Sequence, residues 1–321
     1  MVELGYHLSS EEHAPLDLVR HARLAEEAGF RFALISDHLH PWTDRQGQSP
    51  FVWSVLGALA QALGRLRLGT GVTCPIMRTP PWLVAHAAAT MGALLPGRFL
   101  LGLGTGENLN EHVLGEGWPP AAVRSAMLEE AIEVIRLLWT GELCSHEGTF
   151  YRVEEMRLYT RPASPPPILV AASSEGTARL AGRLGDGLIA VEPAPALVEA
   201  FEDAGGRGKP RYGKVTVCWA PTEAEALETA RTWWPVAVLP PVLMSELRLP
   251  AQFEAAARKV RDEDLAEALV LGPDPRRHAE RIDAFARSGF THVYVHQVGP
   301  EQHGCLDFYA REILPRLGGA P

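Results

Sequence analysis

The sequence predicts an α/β protein, a single (β/α)8 TIM barrel that takes up residues 1–321. Two observations lead to this fold class. Short runs rich in Val, Ile and Leu alternate with amphipathic helical stretches along the whole chain. The runs also lack the alternation of polar and apolar residues that a half-exposed strand shows, so both of their faces are expected to be buried. Eight such strands with helical crossovers close into a parallel barrel.

The predicted elements follow one another in a regular order. The eight strands contain, in chain order, the runs LGYHL, FALIS, LRLGTGV, RFLLGLG, PILVAA, GLIAV, KVTVCW and HVYVHQ. Stretches with apolar residues at helical spacing lie between them, and several end at a glycine, as in EEAGF, GRLGD and ARSGF. The longest of these helices are LDLVRHARLAEEAG, FVWSVLGALAQALG, WLVAHAAATMGALLP, AAVRSAMLEEAIEVIRLLW and RRHAERIDAFARSG.

Two stretches interrupt this order. Residues 145–167 are expected to form an extra β-hairpin followed by a proline-rich approach to strand five. Residues 237–262 are expected to form a helical insertion before the last barrel unit. No internal repeat or low-complexity linker divides the chain, so one domain is expected.

Composition restricts the class of partner. The formal net charge of −9 argues against nucleic acid as the main partner. No apolar run reaches membrane-spanning length, and the N-terminus lacks the basic start and apolar centre of a signal peptide. The four cysteines are scattered without metal-type spacing, so we expect reduced thiols and a cytoplasmic location.

Polar or glycine-rich segments follow four successive predicted strands. Asp37 and His38 follow strand two, and the segments GTGVTCPIMR, GTGENLN and AASSEGT end strands three, four and five. In a (β/α)8 barrel, the loops after the carboxyl ends of the strands carry the chemistry. This distribution therefore predicts an enzyme whose site lies at that end of the barrel.

Each of these segments also has a purely structural interpretation. His38 can be a hydrogen-bonded packing histidine, and Glu107 can stabilise the N-terminus of a short helix. Ser173 and Ser174 suit either an anion site or a helix cap. The pair His38-x-His40 suits a metal-dependent hydrolase, yet strands five and six supply no further histidine or aspartate ligand. No metal site is therefore predicted.

Five segments together resemble the luciferase-like oxidoreductase superfamily, namely ISDHLHPW, LRLGTGV, RFLLGLGTGENLNE, ILVAASSEGTARLAGRLGDG and FTHVYVHQVG. The combination of SDHxxPW with GTGExLNE is typical of the branch that uses the deazaflavin coenzyme F420 and resembles the F420-dependent glucose-6-phosphate dehydrogenase group. The resemblance covers nearly the whole chain. It implies a homodimeric (β/α)8 barrel that binds its cofactor in a cleft at the carboxyl end of the strands.

The resemblance also implies roles for three side chains. His38 corresponds to the histidine that exchanges a proton with the substrate oxygen while a hydride passes between the substrate and C5 of the deazaflavin. Glu107 corresponds to the acid that serves the other proton, near N1 of the ring. Trp42 corresponds to a tryptophan that walls the substrate and helps to stabilise the charged ring. Removing a hydride from an alcohol carbon requires a base for the hydroxyl group, which is consistent with these roles.

The remaining positions implied by the resemblance bind the cofactor. Gly71 and Val72 fall at a non-prolyl cis peptide bond behind the ring. Cys74 stands where the sugar-phosphate enzymes have a threonine, and a thiol is the weaker hydrogen-bonding group. The ring and its hydroxylated chain are expected near Asp37, Thr105, Gly106 and Asn110. The phosphate is expected near Ser173, Ser174, Gly176 and Thr177.

The substrate positions depart from those of the sugar-phosphate enzymes, which hold the phosphate with a threonine and a lysine after strand six and with a lysine and an arginine farther on. Here Val191 and Ala268 stand about where the threonine and the arginine are expected, and no lysine lies near Val191 in the sequence. Charge-assisted contacts to phosphate are then lost, unless Lys259 or Arg261 replaces them. We therefore expect an alcohol, another sugar or an unsaturated carbonyl compound rather than glucose 6-phosphate.

Three functions are compatible with these patterns. The first is an F420-dependent oxidoreductase acting on a small molecule, and the second is an FMN-dependent luciferase-like monooxygenase. The third is a flavin-binding protein without activity, which the joint presence of His38, Trp42 and Glu107 disfavours. We expect the first, with F420 as the cofactor, FMN as its alternative, and a homodimer as the assembly.

Overall fold

The computed structural model describes residues 2–317 and shows the closed eight-stranded parallel barrel that the sequence predicts. The strands are, in chain order, β1 (Glu3–Leu8), β2 (Phe32–Ile35), β3 (Arg67–Thr70), β4 (Phe99–Leu103), β5 (Cys144–Glu147), β6 (Arg152–Met156), β7 (Ile168–Ala171), β8 (Gly187–Ala190), β9 (Arg211–Cys218), β10 (Val270–Leu271) and β11 (His292–Gln297). The barrel runs β1-β2-β3-β4-β7-β8-β9-β11, and β11 pairs with β1 to close it. Each barrel strand coincides with one of the eight predicted runs.

Helices connect the strands on the outside of the barrel. They are, in chain order, α1 (Pro15–Ala28), α2 (Val52–Ala62), α3 (Pro81–Leu94), α4 (Asn108–Glu111), α5 (Ala121–Trp139), α6 (Glu175–Leu184), α7 (Pro195–Phe201), α8 (Glu223–Trp233), α9 (Pro241–Glu246), α10 (Pro250–Ala257), α11 (Asp262–Ala268), α12 (Pro275–Arg287), α13 (Gln302–Phe308) and α14 (Leu314–Leu317). No helix in the described range 2–317 is long and apolar enough to cross a membrane.

Helix α1 shows how local sequence sets these elements. Pro15 occupies the first turn, where its missing N–H costs nothing. Leu18, Ala22 and Ala25 are buried and recur at helical spacing, so one face packs on the barrel. The helix ends at Gly29, which has a φ of 107° and donates its N–H to the carbonyl oxygen of Ala25. A residue with a side chain adopts this left-handed conformation only at a cost, which explains the glycine.

Apolar side chains fill both the lumen and the outer layer of the barrel. Phe32 of β2 meets Tyr212 of β9 edge-on, with ring centroids 5.2 Å apart. Because β2 and β9 are not neighbours in the sheet, the two rings must meet inside the lumen. A separate apolar cluster that includes Trp42, Trp234 and Phe253 covers the carboxyl end of the strands, where the site was predicted.

The two interruptions of the barrel order have distinct structures. Strands β5 and β6 pair as an antiparallel hairpin, which confirms the predicted extra hairpin. Residues 237–262 contain α9 and α10, and their description as an insertion stays a prediction. The sequence does not predict β10, because its two residues are too few to give a pattern; this strand pairs in parallel with the end of β9.

Candidate active site

The loop after β2 carries the predicted catalytic histidine. His38 is 9% exposed, and its two ring nitrogens face different oxygen atoms. Nε2 lies 3.3 Å from Glu11 Oε1, and Nδ1 lies 3.1 Å from the carbonyl oxygen of His40. A protonated imidazole donates from both nitrogens, so each N–H of the cationic ring would have an acceptor.

Glu11, in the loop after β1, is not among the residues that the sequence predicts for the site. Its carboxylate also accepts hydrogen bonds from Trp42 Nε1, at 3.2 Å, and from the Ser36 hydroxyl. Burial opposes ionisation, but the neighbouring His38 and His7 and the Ser36 hydrogen bond outweigh it, and the pKa of Glu11 falls to about 2. Glu11 is therefore an anion at neutral pH. The polar run SSEEH directly after strand one is the signal that marks this position.

Asn110 joins the two predicted proton-transfer groups. Its Nδ2 lies 3.2 Å from His38 Nδ1 and 3.4 Å from Glu107 Oε2. Its Oδ1 accepts the backbone N–H groups of Leu39, at 2.9 Å, and His40, at 3.2 Å. Asn110 is 2% exposed, so these protein contacts use much of its hydrogen-bonding capacity. The amide fixes the loop after β2 against α4, and its predicted contact with the cofactor stays a prediction.

Trp42 closes the side of the site that faces α10. Its ring centroid lies 4.8 Å from that of His38 and 5.3 Å from that of Phe253, which it meets edge-on at 79°. The indole N–H donates a hydrogen bond to Glu11, and the side chain is 7% exposed. Three contacts on different elements therefore fix the orientation of this ring.

Asp37 lies in a buried ion cluster beside the site. Its Oδ2 accepts a hydrogen bond from the Thr73 hydroxyl at 2.8 Å, and its Oδ1 lies 3.2 Å from an Arg78 guanidinium nitrogen. The backbone N–H of Arg78 donates to Glu111, and burial raises the pKa of that carboxyl. Arg78 is a second residue that the sequence does not predict for the site. The predicted contact of Asp37 with the cofactor stays a prediction.

The ends of β3 and β4 form a closely packed wall without large side chains. The Gly71–Val72 peptide bond is cis, as the resemblance implies. A Cβ atom on Gly104 would lie 2.7 Å from Val72, and one on Gly106 would lie 2.4 Å from the Cys74 sulfur. Glycine is thus required at both positions. Burial raises the pKa of the Cys74 thiol well above its usual value, so the sulfur stays protonated. The following residues, Thr105, Gly106 and Glu107, are half-buried.

The N-terminus of α6 carries the predicted phosphate-binding residues. The Ser174 hydroxyl accepts the N–H of Thr177 at 3.3 Å, and the Thr177 hydroxyl accepts the N–H of Ser174 at 3.2 Å. This reciprocal cap leaves the backbone N–H groups of Glu175 and Gly176 without an intrahelical partner. A Cβ atom on Gly176 would meet only the Ser174 hydroxyl, at 3.8 Å, so the space in front is open. With Ser173 exposed beside it, this end fits a phosphate group.

The pair His38-x-His40 takes part in ordinary hydrogen bonds. His40 Nδ1 lies 2.9 Å from the carbonyl oxygen of Leu109, and its ring stacks on His112 with centroids 5.5 Å apart. Within the part of the chain that the structure describes, no group of three or more His, Cys, Asp or Glu side chains is placed to hold a metal ion.

Comparison of sequences gives consistent matches. Residues 2–292 match the family model described as luciferase-like monooxygenase. A protein from Beutenbergia cavernae named F420-dependent glucose-6-phosphate dehydrogenase is 40% identical over 333 residues, which cover 99% of this chain and 98% of that protein. A protein of the same name from Microbacterium testaceum is 38% identical and is matched over 98% of this chain and 97% of its own.

Comparison of structures agrees. An F420-dependent secondary alcohol dehydrogenase, solved with an F420-acetone adduct, superposes with a TM-score of 0.90 at 28% identity over 97% of this chain and 98% of that one. A coenzyme F420 dependent tetrahydromethanopterin reductase from Methanopyrus kandleri superposes with a TM-score of 0.79 at 21% identity over 98% of this chain and 99% of that one, which shows the fold alone. The family model spans most of the chain and the relatives match it nearly end to end, and the chain therefore belongs to the luciferase-like monooxygenase family.

Proposed function

We propose that this chain is an F420-dependent oxidoreductase that transfers a hydride between the cofactor and a small substrate. The observation that carries the proposal is the connected set Glu11, His38, Asn110 and Glu107, which holds a proton acceptor and a carboxyl group in one cleft. The names of the relatives at 40% and 38% identity support the cofactor assignment.

The residues at the carboxyl end of the barrel fit such a cofactor. The N-terminus of α6 at Ser174–Thr177 would hold its phosphate, and the wall at Gly71–Val72 and Gly104–Gly106 would lie behind its ring. When bound, the deazaflavin supplies a ring carbon that takes up or releases a hydride. The protein supplies the position of the substrate and the two proton-transfer groups.

His38 is the group we assign to the substrate proton. In its neutral form, the ring can donate Nε2–H to Glu11 and accept the Asn110 amide at Nδ1. In its cationic form, Nδ1–H can turn to the carbonyl oxygen of His40. Both protonation states therefore have hydrogen-bond partners. A base of this kind contributes about a hundredfold or more to a proton transfer.

Glu107 is the group we assign to the second proton. Its carboxylate is half-buried and contacts the Asn110 amide at 3.4 Å. The remaining carboxylate lone pairs are available to a bound group. Asn110 contacts both Glu107 and His38, so one side chain connects the two groups to which we assign proton transfers. Two groups in different environments can then carry out different proton transfers on one substrate–cofactor pair.

We infer that the substrate is an alcohol or a hemiacetal, because the role assigned to His38 is that of a base for a hydroxyl proton. The argument against glucose 6-phosphate rests on Val191 and Ala268, and the comparisons do not support it, since the relatives above carry that name. Glucose 6-phosphate therefore stands beside neutral sugars and secondary alcohols on the panel to be tested.

A turnover assay tests the proposal. Purified protein is mixed with F420 and each member of the panel, and the loss of the visible absorption of the cofactor is followed. Reduction of F420 by at least one alcohol or sugar, abolished in His38→Ala, is the expected result. Oxygen consumption with reduced FMN, and no reaction with F420, would instead support the monooxygenase.

A further inference from the structure

Lys214 is a cation inside the barrel. It lies on β9 two residues after Tyr212, whose ring meets Phe32 in the lumen. Alternate residues of a strand point to the same side, so the Lys214 side chain also faces the lumen, closer to the carboxyl end of the strands. The side chain is half-buried.

The surroundings of Lys214 are acidic but leave it without an ion-pair partner. Burial lowers the pKa of the ammonium group, and nearby carboxylates, with Glu11 and Glu107 first among them, partly oppose this effect. Across residues 2–317, no carboxylate lies within 4.0 Å of the ammonium nitrogen. A partly desolvated cation without a partner is costly, so a ligand that pairs with it would be favoured.

Two further polar atoms beside Lys214 have no partner. The rings of His7 and His296 lie 4.8 Å apart, and Lys214 acts electrostatically on both. His296 Nε2 is bonded to Glu12 at 3.0 Å, but Nδ1 of His296 and Nδ1 of His7 have no hydrogen-bond partner among the described residues. The upper lumen therefore holds, beside Lys214, two buried ring nitrogens that have no hydrogen-bond partner among the described residues.

Lys214 also lies on the side of the barrel where a phosphate-binding lysine is missing from the sequence. Ala190 of β8 is opposite Gly213 of β9, so the next residues along the two strands are Val191 and Lys214. Arg78, which also lies near the mouth, is held by Asp37 and Glu111. Lys214 of the neighbouring strand therefore lies beside Val191, the position at which the sugar-phosphate enzymes have a threonine.

We propose that Lys214 determines specificity by binding an anionic oxygen group of the substrate, a phosphate or a carboxylate. The proposal rests on the proposed function and deepens it, because it names the substrate class. An ammonium group offers three donors and a charge, and charge-assisted hydrogen bonds are about twice as strong as neutral ones. The anionic group of the substrate would form an ion pair with the ammonium group of Lys214. The hydroxyl group to be oxidised would then reach His38.

Lys214→Met and Lys214→Arg, with Arg23→Met as the matched control, test this inference. Methionine keeps the apolar stem of the lysine, so the fold is expected to survive, and thermal melting checks this. Arg23 is an exposed arginine of α1 on the outside of the barrel, and its replacement removes the same charge at a distance from the lumen. Inorganic phosphate and acetate are the probes, titrated into protein saturated with F420 and followed by tryptophan fluorescence.

The expected result is that one of the two anions binds to the parent, binds at least tenfold more weakly to Lys214→Met, and binds to Arg23→Met with the parent affinity. Lys214→Arg should retain most of the binding, because it keeps the charge. Preference for phosphate or for acetate identifies the anionic group. With a phosphorylated and a neutral substrate of one skeleton, Lys214→Met should raise KM for the phosphorylated one alone.

Two results would overturn the inference: equal anion binding by Lys214→Met and the parent, or no binding of either anion by the parent. Failure of the proposed function is a separate outcome, since it appears as a parent protein that does not bind F420. The anion titration is then performed without cofactor, and the difference between Lys214→Met and Arg23→Met still decides the role of Lys214.

Discussion

Glu11 Oε1 lies 3.3 Å from His38 Nε2, and the same oxygen accepts the indole N–H of Trp42 at 3.2 Å. One carboxylate on the loop after β1 therefore orients both predicted catalytic side chains of the loop after β2. The two loops are adjacent because β1 and β2 pair in the barrel. Glu11 is a positioning residue, and its effect on the reaction acts through His38.

Glu11→Gln should slow turnover about ten- to hundredfold, because a hydrogen bond to a charged group is worth about 1.5–3 kcal/mol. Affinity for F420 should be nearly unchanged, and the pH dependence of kcat/KM should change, since the protonated ring loses its anionic partner. Steady-state kinetics over a range of pH measure both effects.

Glu12→Gln is the matched control for that experiment. Glu12 is also buried, but it contacts His296 and the N–H of Gly299 rather than His38. Burial raises the pKa of Glu12 to about 7, so glutamine resembles its neutral form below that pH. If Glu11→Gln and Glu12→Gln lose equal activity with the same pH profile, the positioning role of Glu11 is wrong.

His38→Ala and Glu107→Gln should each lower turnover by about a hundredfold or more, because each removes a group to which we assign a proton transfer. Both residues lie at strand ends outside the main apolar core, so both variants should fold and bind F420. Rapid mixing of F420 with substrate measures the chemical step directly. A variant that matches the parent rate would remove that residue from the mechanism.

The protein should be a homodimer whose interface includes α2 and α3. Helix α3 exposes Trp82 and Leu83, which are 36% and 47% exposed, and Phe51 before α2 is 57% exposed. Apolar side chains grouped in this way are typical of surfaces that a partner covers. Light scattering should give twice the mass of one chain, and Leu83→Glu should shift it toward the monomer. A monomer mass for the parent over a wide concentration range would contradict the prediction.

Stability should fall as the pH is lowered from about 6.5 to about 4. Burial lowers the pKa of His278 to about 4, and its ring contacts the Tyr309 hydroxyl at 2.8 Å and the carbonyl oxygen of Gly272 at 2.9 Å. Between these pH values the unfolded chain binds a proton at this site and the folded chain does not, so stability rises with pH by about 1.4 kcal/mol per unit for this group.

His278→Gln removes this contribution. Its free energy of unfolding should be lower than that of the parent at pH 7, and the difference should shrink toward pH 4, as measured by urea titration at each pH. A difference that is constant across this pH range would show that folding does not change the pKa of His278, which would contradict the prediction.

The barrel could be predicted from the sequence because each strand carries its own signal, a short apolar run followed by a polar or glycine-rich loop. His38, Trp42 and Glu107 could be singled out because they stand at such loops. The bonds between them could not, since Asn110 is 72 positions from His38 in sequence and meets it only when β2 and β4 take their places in the barrel.

Glu11, Arg78 and Lys214 are three residues whose contacts and orientation a local sequence pattern does not reveal. Whether a strand lysine faces the lumen or the helices depends on the phase of the strand, and a strand buried on both faces has no polar alternation to reveal it. The sequence therefore does not distinguish Lys214 from the other residues of its β-prone run. The structure fixes the phase through Tyr212, whose ring lies in the lumen.

Parallel titration of the purified protein with F420 and with FMN, followed by quenching of tryptophan fluorescence, tests the central claim most directly. Trp42 lies beside the proposed cleft, so a ring bound there should quench its emission. The account predicts micromolar binding of F420, weaker binding of FMN, and reduction of the bound F420 by an alcohol or sugar. Tight FMN binding with no response to F420 would contradict it.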